Sequence, residues 1–293
     1  MSGIDWRSYL VSCSNQARWG EDDERGTLNY ITPGVTLAAL GLATTGDVVS
    51  IAHDIPRFQP EASAAAHLKV WRNGPWLEDT VSISPHGFEL THLDAVVHAS
   101  VDDRRYNGRS TADVFDGRAV SFGSIMAMSS GIVTRGVFLD VAAARGVDSL
   151  EEGEGVSLED IRNAEAHSGL SVREGDAILL RSGIGQRDHW STPAGAVNRP
   201  GILAEVIPWL YEKRVAVYGG DCAELLPPDG AEGDFPLHQV GLPAMGLALL
   251  DNPDVEVLRL ACQRHGRQEF LLLIAPLRIR GATGSAVNPL AVF

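Results

Sequence analysis

Three histidines and one aspartate stand close together in a single segment of the chain. Of the nine histidines, His86, His92 and His98 fall between positions 86 and 98, with Asp94 among them. If the segment 91–94 is extended, His92 and Asp94 point to the same side, with their Cα atoms about 6–7 Å apart. Imidazole nitrogens and carboxylate oxygens bind Zn²⁺, and the same set accepts Mn²⁺ or Fe²⁺. The spacing is compatible with metal binding or catalysis, and also with polar surface-loop residues that bond to neighbouring backbone.

The last histidine of this segment is suited to proton transfer. His98 follows Asp94 by four residues, and an imidazole that is not bound to metal titrates near neutral pH. We therefore expect His98 to act as a general acid or base. Five other histidines stand alone or near the ends of predicted helices, and we assign them to structure: His53, His67, His167, His189 and His265.

Short apolar segments predict the sheet that must position these residues. Six of them are rich in β-branched residues and bounded by Gly, Asp or Pro, which predicts buried strands at 47–52, 80–84, 137–141, 177–181, 215–218 and 270–274. A capping box of Ser157 and Asp160 predicts a helix over 158–167 that ends at Gly169. Further helices are predicted at 253–263 and at 200–213, the latter kinked by Pro208. The alternation of strands and helices predicts an α/β fold with a mixed sheet.

Composition limits the class of protein. The 293 residues show neither a repeat nor a linker, so we predict one domain over 1–293, with the segment 1–45 packing on or extending the core. The net charge of −14 disfavours nucleic acid and membrane surfaces as partners. No apolar run is long enough to span a bilayer, and no secretory signal is recognisable. Three widely spaced cysteines without a CxxC motif fit a reducing compartment, so a cytoplasmic location is expected.

The histidine segment also resembles a known signature. Thr91, His92, Asp94 and His98 match the second half of HxGTHxDxPxH, the signature of the cyclase family that includes bacterial kynurenine formamidase and isatin hydrolase. Shorter matches to one branch of that family follow in order over nearly the whole chain, at residues 18–20, 22–24, 26–29, 86–88, 106–108, 134–137, 175–177, 238–239, 281, 283–285 and 288–289. The chain is therefore similar to this family as a whole and not only at one motif.

The resemblance implies a fold, a chemistry and a set of roles. The family fold is a compact α/β domain of the swivelling β/β/α type, and its members hydrolyse amide bonds with bound zinc or manganese. By this resemblance His92 and Asp94 are metal ligands and His98 is the general acid/base. His238 matches a later metal-binding histidine, and Asp251 falls near the place of a family glutamate ligand. Because family members tend to associate, a homo-oligomer is expected.

Two departures from the signature affect the ligand set. The family's first histidine stands four residues before His92, where this chain has Phe88, and His86 stands six residues before it. Val96 occupies the place of the signature proline. Either His86 reaches the ion by a different loop path, or a ligand is lost and one metal binds weakly. We expect one divalent ion, Mn²⁺ or Zn²⁺, and no second metal, with its ligands at His86, His92, Asp94 and His238.

Other residues are candidates for the substrate pocket. Four aromatic residues and one acid are proposed to contact the substrate: Trp19, Trp71, Phe88, Tyr106 and Asp221. Asp221 follows a predicted strand through two glycines, where α/β sheets bind ligands, although a capping role is equally compatible. Cys222 is either a nucleophile or, as is commoner, a buried inert thiol. Neither a Walker motif nor GxGxxG is present, so no nucleotide cofactor is expected.

These observations favour a divalent-metal hydrolase that cleaves an amide, lactam or ester bond in a small, aromatic or cyclic molecule. Two alternatives stay open. One is a cyclase or dehydratase of secondary metabolism that needs little or no metal and uses His98 and Asp94 as a proton-transfer pair. The other is a small-molecule binding protein that has kept the pocket without turnover.

Overall fold

Nine strands form one mixed sheet in the computed structural model, which describes residues 5–55, 65–186, 199–225 and 235–293. In order across the sheet they are β1 (Val48–Ser50), β13 (Leu290–Val292), β11 (Glu269–Ile274), β5 (Ile132–Asp140), β7 (Ala177–Arg181), β9 (Val217–Gly220), β10 (Ala248–Asp251), β4 (His92–Asp94) and β12 (Gly284–Ala286). The four central strands β5, β7, β9 and β10 are parallel, and the outer strands pair antiparallel. The α/β fold with a mixed sheet is therefore confirmed.

Helices cover both faces of this sheet. They are α1 (Tyr9–Ser12), α2 (Pro33–Leu40), α3 (Thr111–Val114), α4 (Val141–Ala144), α5 (Leu158–Ser168), α6 (Val206–Glu212), α7 (Pro236–Val240) and α8 (Val255–His265). Short 3₁₀ segments and a π-helical turn at Gly241–Met245 join them. None of the helices in the described ranges is long and apolar enough to cross a membrane.

The core consists of two apolar layers, one on each side of the sheet. All five residues of β7 are buried, as expected for a parallel strand that is covered on both faces. Leu179 packs in the layer that contains residues of α8. Its neighbours Ile178 and Leu180 pack in the layer that contains residues of α5 and α6. This alternation follows from the two-residue period of a strand.

The helix predicted from its capping box is confirmed. In α5 the Ser157 side chain accepts from the Asp160 N–H, and the Asp160 carboxylate accepts from the Ser157 N–H. Gly169 ends the helix with a φ of 67°, a left-handed conformation that glycine adopts without a Cβ clash. The helix predicted at 253–263 is also present, as α8, and begins after an Asp254 cap.

Two sequence predictions were wrong. The segment 80–84 was predicted to be a buried core strand, but it belongs largely to β3 (Trp76–Ile83), which pairs with β2 (Ala66–Asn73) in a separate ribbon of mostly exposed residues. The helix predicted over 200–213 begins only at Val206, because residues 201–202 form β8 and pair with β6 (Gly155–Val156). Pro208 therefore falls in the first turn of α6, where its missing N–H costs no helical hydrogen bond, so no kink is required.

Residues near the N-terminus contact the segments that lead into β9 and β10. Asn15 donates a side-chain hydrogen bond to the Met245 carbonyl over 2.9 Å, and the Thr27 hydroxyl donates to the Ala216 carbonyl over 2.7 Å. Gly26 lies so close to the Gly246 backbone that a Cβ on Gly26 would meet the Gly246 carbonyl oxygen at 2.0 Å. Any side chain at position 26 would clash with this backbone, so the position requires glycine.

Candidate metal centre and active site

The site lies at the carboxyl ends of β9 and β10, beside β4. In the antiparallel pair of β4 and β10, His92 lies opposite Asp251, while Asp94 lies opposite Leu249. β12 covers the other edge of β4, with Gly284 opposite Asp94. The extended conformation assumed for His92 and Asp94 is thus present, and the sheet register adds a second carboxylate to their side of the strand.

Three side chains form a group that can hold a metal ion. Ligand atoms of His92, Asp94 and Asp251 all lie within 4.8 Å of one another. Nε2 of His92 is 3.5 Å from Oδ1 of Asp94 and 3.8 Å from Oδ2 of Asp251. The Nδ1 atom of His92 donates to the Leu90 carbonyl over 2.8 Å, which leaves the lone pair on Nε2, facing the carboxylates. A hydrogen bond at the other ring nitrogen is typical of metal-binding histidines.

His238, at the third position of α7, faces the same carboxylates. Its Nε2 is 3.2 Å from Oδ2 of Asp251 and 3.6 Å from Oδ2 of Asp94. Its Nδ1 lies 2.9 Å from both carboxylate oxygens of Glu224. Burial lowers the pKa of His238, but the carboxylates of Glu224 and Asp251 outweigh it and raise that pKa well above its usual value. Glu224 thereby orients the ring, with Nε2 directed at the centre.

One oxygen of Asp94 shows that a cation fits between these residues. The Asp94 side chain is 1% exposed, and its Oδ2 atom has no hydrogen-bond partner among the described residues. Burial raises the pKa of Asp94, yet the His86 hydrogen bond and the charges of His92, His98 and His238 bring it to about 2. A buried ionised oxygen without a partner is costly. Imidazole and carboxylate donors of this kind match the ligand preferences of Zn²⁺ or Mn²⁺.

His86 and His98 form a stacked pair on the other side of Asp94. Their ring centroids are 3.7 Å apart and the planes differ by 6°. Nδ1 of His86 is 2.8 Å from Oδ1 of Asp94, and its Nε2 is 2.9 Å from the Thr283 hydroxyl. In this arrangement both His86 nitrogens are hydrogen-bonded, so His86 orients Asp94. Together with Asp94, the two histidines make a second group of possible ligands.

His98 is neutral near pH 7 in this environment. Burial lowers its pKa to about 4, although the nearby Asp94 carboxylate acts in the opposite direction. Its Nε2 is 3.9 Å from Oδ2 of Asp94. A neutral imidazole beside the candidate ligands can accept a proton, as general base catalysis requires.

A cavity of about 430 Å³ opens onto the centre. The residues along it that could contact a ligand are Phe88, His92, Asp94, His98, Arg199, Asp221, Glu224, Phe235, His238, Gln239, Asp251 and Asn252. A second cavity, of about 520 Å³, is lined by His86 and His98 from another direction. His98 borders both cavities, whereas the three candidate ligands His92, Asp94 and Asp251 border the first.

Of the five residues that were proposed to contact substrate, two line the cavity and three do not. Phe88 and Asp221 line the cavity, whereas Trp19, Trp71 and Tyr106 are not among the described residues that do. Trp19 packs edge-on against Tyr30, with ring centroids 5.0 Å apart. Tyr106 is buried and donates to Asp23 over 3.0 Å, and Trp71 lies on the ribbon strand β2. The aromatic surfaces at the cavity come from Phe88 and Phe235 instead.

Asp221 has the capping role as well as a place in the cavity wall. Its two carboxylate oxygens accept the backbone N–H groups of Ser182 and Gly183, over 2.7 and 2.9 Å. Burial raises the pKa of Asp221 to about 6 despite these hydrogen bonds. Cys222 is buried, and burial raises its pKa well above the usual value. Its thiol therefore stays protonated, which disfavours a nucleophilic role.

Among the polar residues at the cavity, Arg199, Glu224 and Asn252 were not identified from the sequence. Glu224 acts through His238, which follows it by 14 residues, so no short spacing indicates it. Asn252 follows Asp251 directly and has a φ of 53°. A non-glycine residue in this left-handed region is uncommon and is frequently found at functional sites.

Comparisons with known proteins agree with this fold. Residues 48–225, more than half of the chain, match the family model described as "Putative cyclase". A search of curated protein sequences found no match. Among solved structures, the chain is similar to a crystal structure of a novel cyclase, with 27% identity, a TM-score of 0.85 and coverage of 96% of this chain and 99% of that one.

More distant structures share the fold. Isatin hydrolase A from Labrenzia aggregata, bound to benzyl benzoate, is 21% identical with a TM-score of 0.60, over 88% of this chain and 98% of that one. A predicted metal-dependent hydrolase from Bacillus stearothermophilus is 16% identical with a TM-score of 0.53, over 84% and 97%. Because the family model matches more than half of the chain, the chain belongs to the cyclase family.

Proposed function

We propose that this protein is a divalent-metal-dependent hydrolase of a small molecule. The observation that carries the proposal is the convergence of His92, Asp94 and Asp251, with ligand atoms within 4.8 Å, on a cavity of about 430 Å³. His238 joins them through its contact with Asp251. One ion, Mn²⁺ or Zn²⁺, is the proposed cofactor. When bound, such an ion polarises a carbonyl oxygen and lowers the pKa of water toward neutrality.

The side chains around the centre supply positioning and proton transfer. His98, neutral near pH 7, is proposed to accept a proton from water and to return it to the leaving nitrogen or oxygen. His86 holds Asp94 through Oδ1, so Asp94 Oδ2 stays directed toward His238 and His98. Glu224 fixes the ring of His238 in the same manner. Each of these roles depends on a contact within the site.

The proposed substrate is a small molecule with an amide, lactam or ester bond. The cavity volume lies within the range of small-molecule sites, and the Phe88 and Phe235 rings offer an apolar wall for an aromatic or cyclic group. The fold shared with isatin hydrolases supports a cyclic amide as one member of the class. The proposed location is the cytoplasm.

A ring-closing or dehydrating enzyme is the second candidate. The observation that favours it is Phe88, which occupies the sequence position of the first signature histidine and lines the cavity. Such an enzyme would use the His98 and Asp94 pair, 3.9 Å apart, for proton transfer with little or no metal. A binding protein without turnover is the third.

Product analysis separates these functions. Purified protein would be treated with a chelator, restored with Mn²⁺ or Zn²⁺, and incubated with a panel of lactams, N-acyl amines and aryl esters. We expect products heavier than their lactam substrate by one water, formed only with metal. His92→Ala should abolish this turnover, while His167→Ala, at an exposed position of α5, should leave it unchanged. Turnover that survives metal removal would contradict the metal dependence, and ligand binding without any product would favour the binding protein.

We also propose that the protein is a homo-oligomer that associates through the ribbon of β2 and β3. One face of this ribbon is apolar and uncovered: Leu68, Val70, Leu77 and Val81 are between 52% and 78% exposed. A two-stranded ribbon is marginally stable by itself. The same face carries Arg72 and Asp79, so a two-fold related copy could cover the apolar residues while opposite charges meet.

A further inference from the structure

A buried arginine lines the cavity that contains the candidate metal ligands. Arg199 is 8% exposed and borders the same cavity as His92, Asp94 and Asp251. Burial of a guanidinium is expensive because its charge loses contact with water, so an arginine at this depth needs defined contacts to hold it. Burial lowers the pKa of Arg199 to about 10, partly offset by the carboxylates of Asp221 and Asp251. The side chain therefore stays positively charged at neutral pH.

The guanidinium is held in one orientation from two sides. Its central carbon is 4.7 Å from the centroid of the Phe88 ring, which is within the range of a cation–π contact. Nη1 donates to Oδ1 of Asn252 over 2.9 Å, and Nη2 donates to the Phe88 carbonyl over 3.3 Å. Phe88 thus supports an arginine at the position where the family signature has a metal-binding histidine.

Asn252 links this arginine to the metal centre. Its amide nitrogen donates to the Gly87 and Leu90 carbonyls over 2.8 and 3.2 Å, which fixes the loop that carries Phe88. Asn252 also follows Asp251, a candidate ligand, directly in the chain. The arginine and the metal ligands are therefore held relative to each other by a short, hydrogen-bonded path.

The cavity lining contains both acidic side chains and an arginine. Asp94, Asp251 and Glu224 are acidic residues of the lining, which suits a cation, and Arg199 contributes a planar, positively charged group to the same lining. Guanidinium groups bind carboxylates through paired, charge-assisted hydrogen bonds that are stronger than neutral ones. Arg199 is thus a binding group for an anion in the same cavity as the candidate metal ligands.

We propose that Arg199, supported by Phe88 and Asn252, binds a carboxylate of the substrate, so that the enzyme acts on acids that carry the scissile amide, lactam or ester. This inference rests on the proposed hydrolase function for its substrate class. Arg199 determines specificity and position, and the bond cleavage itself belongs to the metal centre and His98.

Matched substrates test the role of the charge. 4-Acetoxybenzoate and its methyl ester share one aryl acetate and differ by one carboxylate, which the rigid ring keeps away from the acetate carbonyl. With metal-loaded wild-type protein we expect kcat/KM to be at least 10-fold higher for the acid. Arg199→Gln should lower kcat/KM for the acid by about 10- to 100-fold, as for a lost hydrogen-bonded charge, and by less than about 3-fold for the methyl ester. Equal losses on both substrates, with no preference in the wild type, would overturn the proposal.

Direct binding separates this inference from the hydrolase proposal. If neither ester is cleaved, calorimetric titration with benzoate and with neutral benzamide still measures how strongly Arg199 binds a carboxylate. Benzoate affinity should fall about 10-fold or more in Arg199→Gln, with intermediate loss in Arg199→Lys, while benzamide affinity stays constant. Metal content and thermal midpoint would be measured for each variant, with Arg162→Gln, at an exposed position of α5, as control. Unchanged benzoate affinity in Arg199→Gln and Arg199→Lys would refute the carboxylate site.

Discussion

Oδ2 of Asp251 lies 3.8 Å from Nε2 of His92, because the two residues are direct partners in the antiparallel pair of β4 and β10. The relationship explains how a site can be built although Phe88 occupies the slot of the first signature histidine. A carboxylate from a distant part of the chain completes a group of three with His92 and Asp94. Sheet register, and not local spacing, brings this third candidate ligand into place.

Replacement of His98 should affect turnover without removing the metal. Because the His98 imidazole is the proposed proton carrier, His98→Gln is expected to lower kcat by about 10²- to 10⁴-fold. His98 is not one of the three proposed ligands His92, Asp94 and Asp251. Metal content should equal that of the wild type. Stopped assays on a substrate found in the panel measure kcat, and elemental analysis measures the metal content. Full turnover by His98→Gln would exclude the acid/base role.

Charge on the apolar face of the ribbon should separate the subunits. Leu77 is 78% exposed and Val81 52% exposed on this face, so Leu77→Glu with Val81→Glu would place unpaired carboxylates in the proposed contact. Light scattering after size exclusion should report an oligomer for the wild type and a monomer for the double variant. Thr80→Glu, on the opposite face by register, is the matched control. A monomeric wild type at working concentrations would rule out the proposed assembly.

Acid should remove the contribution of Asp160 to stability. Burial raises the pKa of Asp160, but hydrogen bonds from Arg145 and Ser157 lower it to about 2, below its ordinary 3.8. A carboxylate whose folded-state pKa is lowered stabilises the fold fully above the unfolded value, and this stabilisation is lost as pH falls through the folded value. Asp160→Asn should therefore be less stable than wild type by about 1–3 kcal/mol at pH 7, since it loses a cap and charged hydrogen bonds.

The difference in unfolding free energy between the wild type and Asp160→Asn should disappear as the pH falls from 4 to about 2, the folded-state pKa of Asp160. Urea unfolding at a series of pH values measures it. Glu159→Gln, an exposed neighbour on the same helix, should match the wild type throughout. A destabilisation of Asp160→Asn that is independent of pH would show that the carboxylate charge is not its cause.

Local signals in the sequence predicted the elements that local interactions determine. The α5 helix was predicted because its capping box and its terminal Gly169 act within a few residues. The extended conformation that was assumed for His92 and Asp94 is present, and it places both on one side of β4. The segment 80–84 shows the limit of such signals: its β-branched residues indicate a strand, but whether the strand is covered depends on the tertiary fold.

The full site depended on contacts between distant segments. Asp251 was expected near a ligand position from the family resemblance, but the register that places it opposite His92 is visible only in the sheet. Glu224 and Arg199 carry no spacing signal, since each lies far in sequence from the histidine segment 86–98. The aromatic wall proposed from Trp19, Trp71 and Tyr106 rested chiefly on the family resemblance, and each of these rings has a position outside the cavity lining.

The metal content of the purified protein, after incubation with Mn²⁺ or Zn²⁺ and removal of excess ion, tests the proposed metal centre. We predict close to one equivalent per chain in the wild type, loss of the ion in Asp94→Asn and a clear decrease in Asp251→Asn. Asp22→Asn, at an exposed position away from the candidate ligands, should match the wild type. A wild-type protein that retains neither metal, or an Asp94→Asn variant that retains as much as the wild type, would contradict the proposed metal centre.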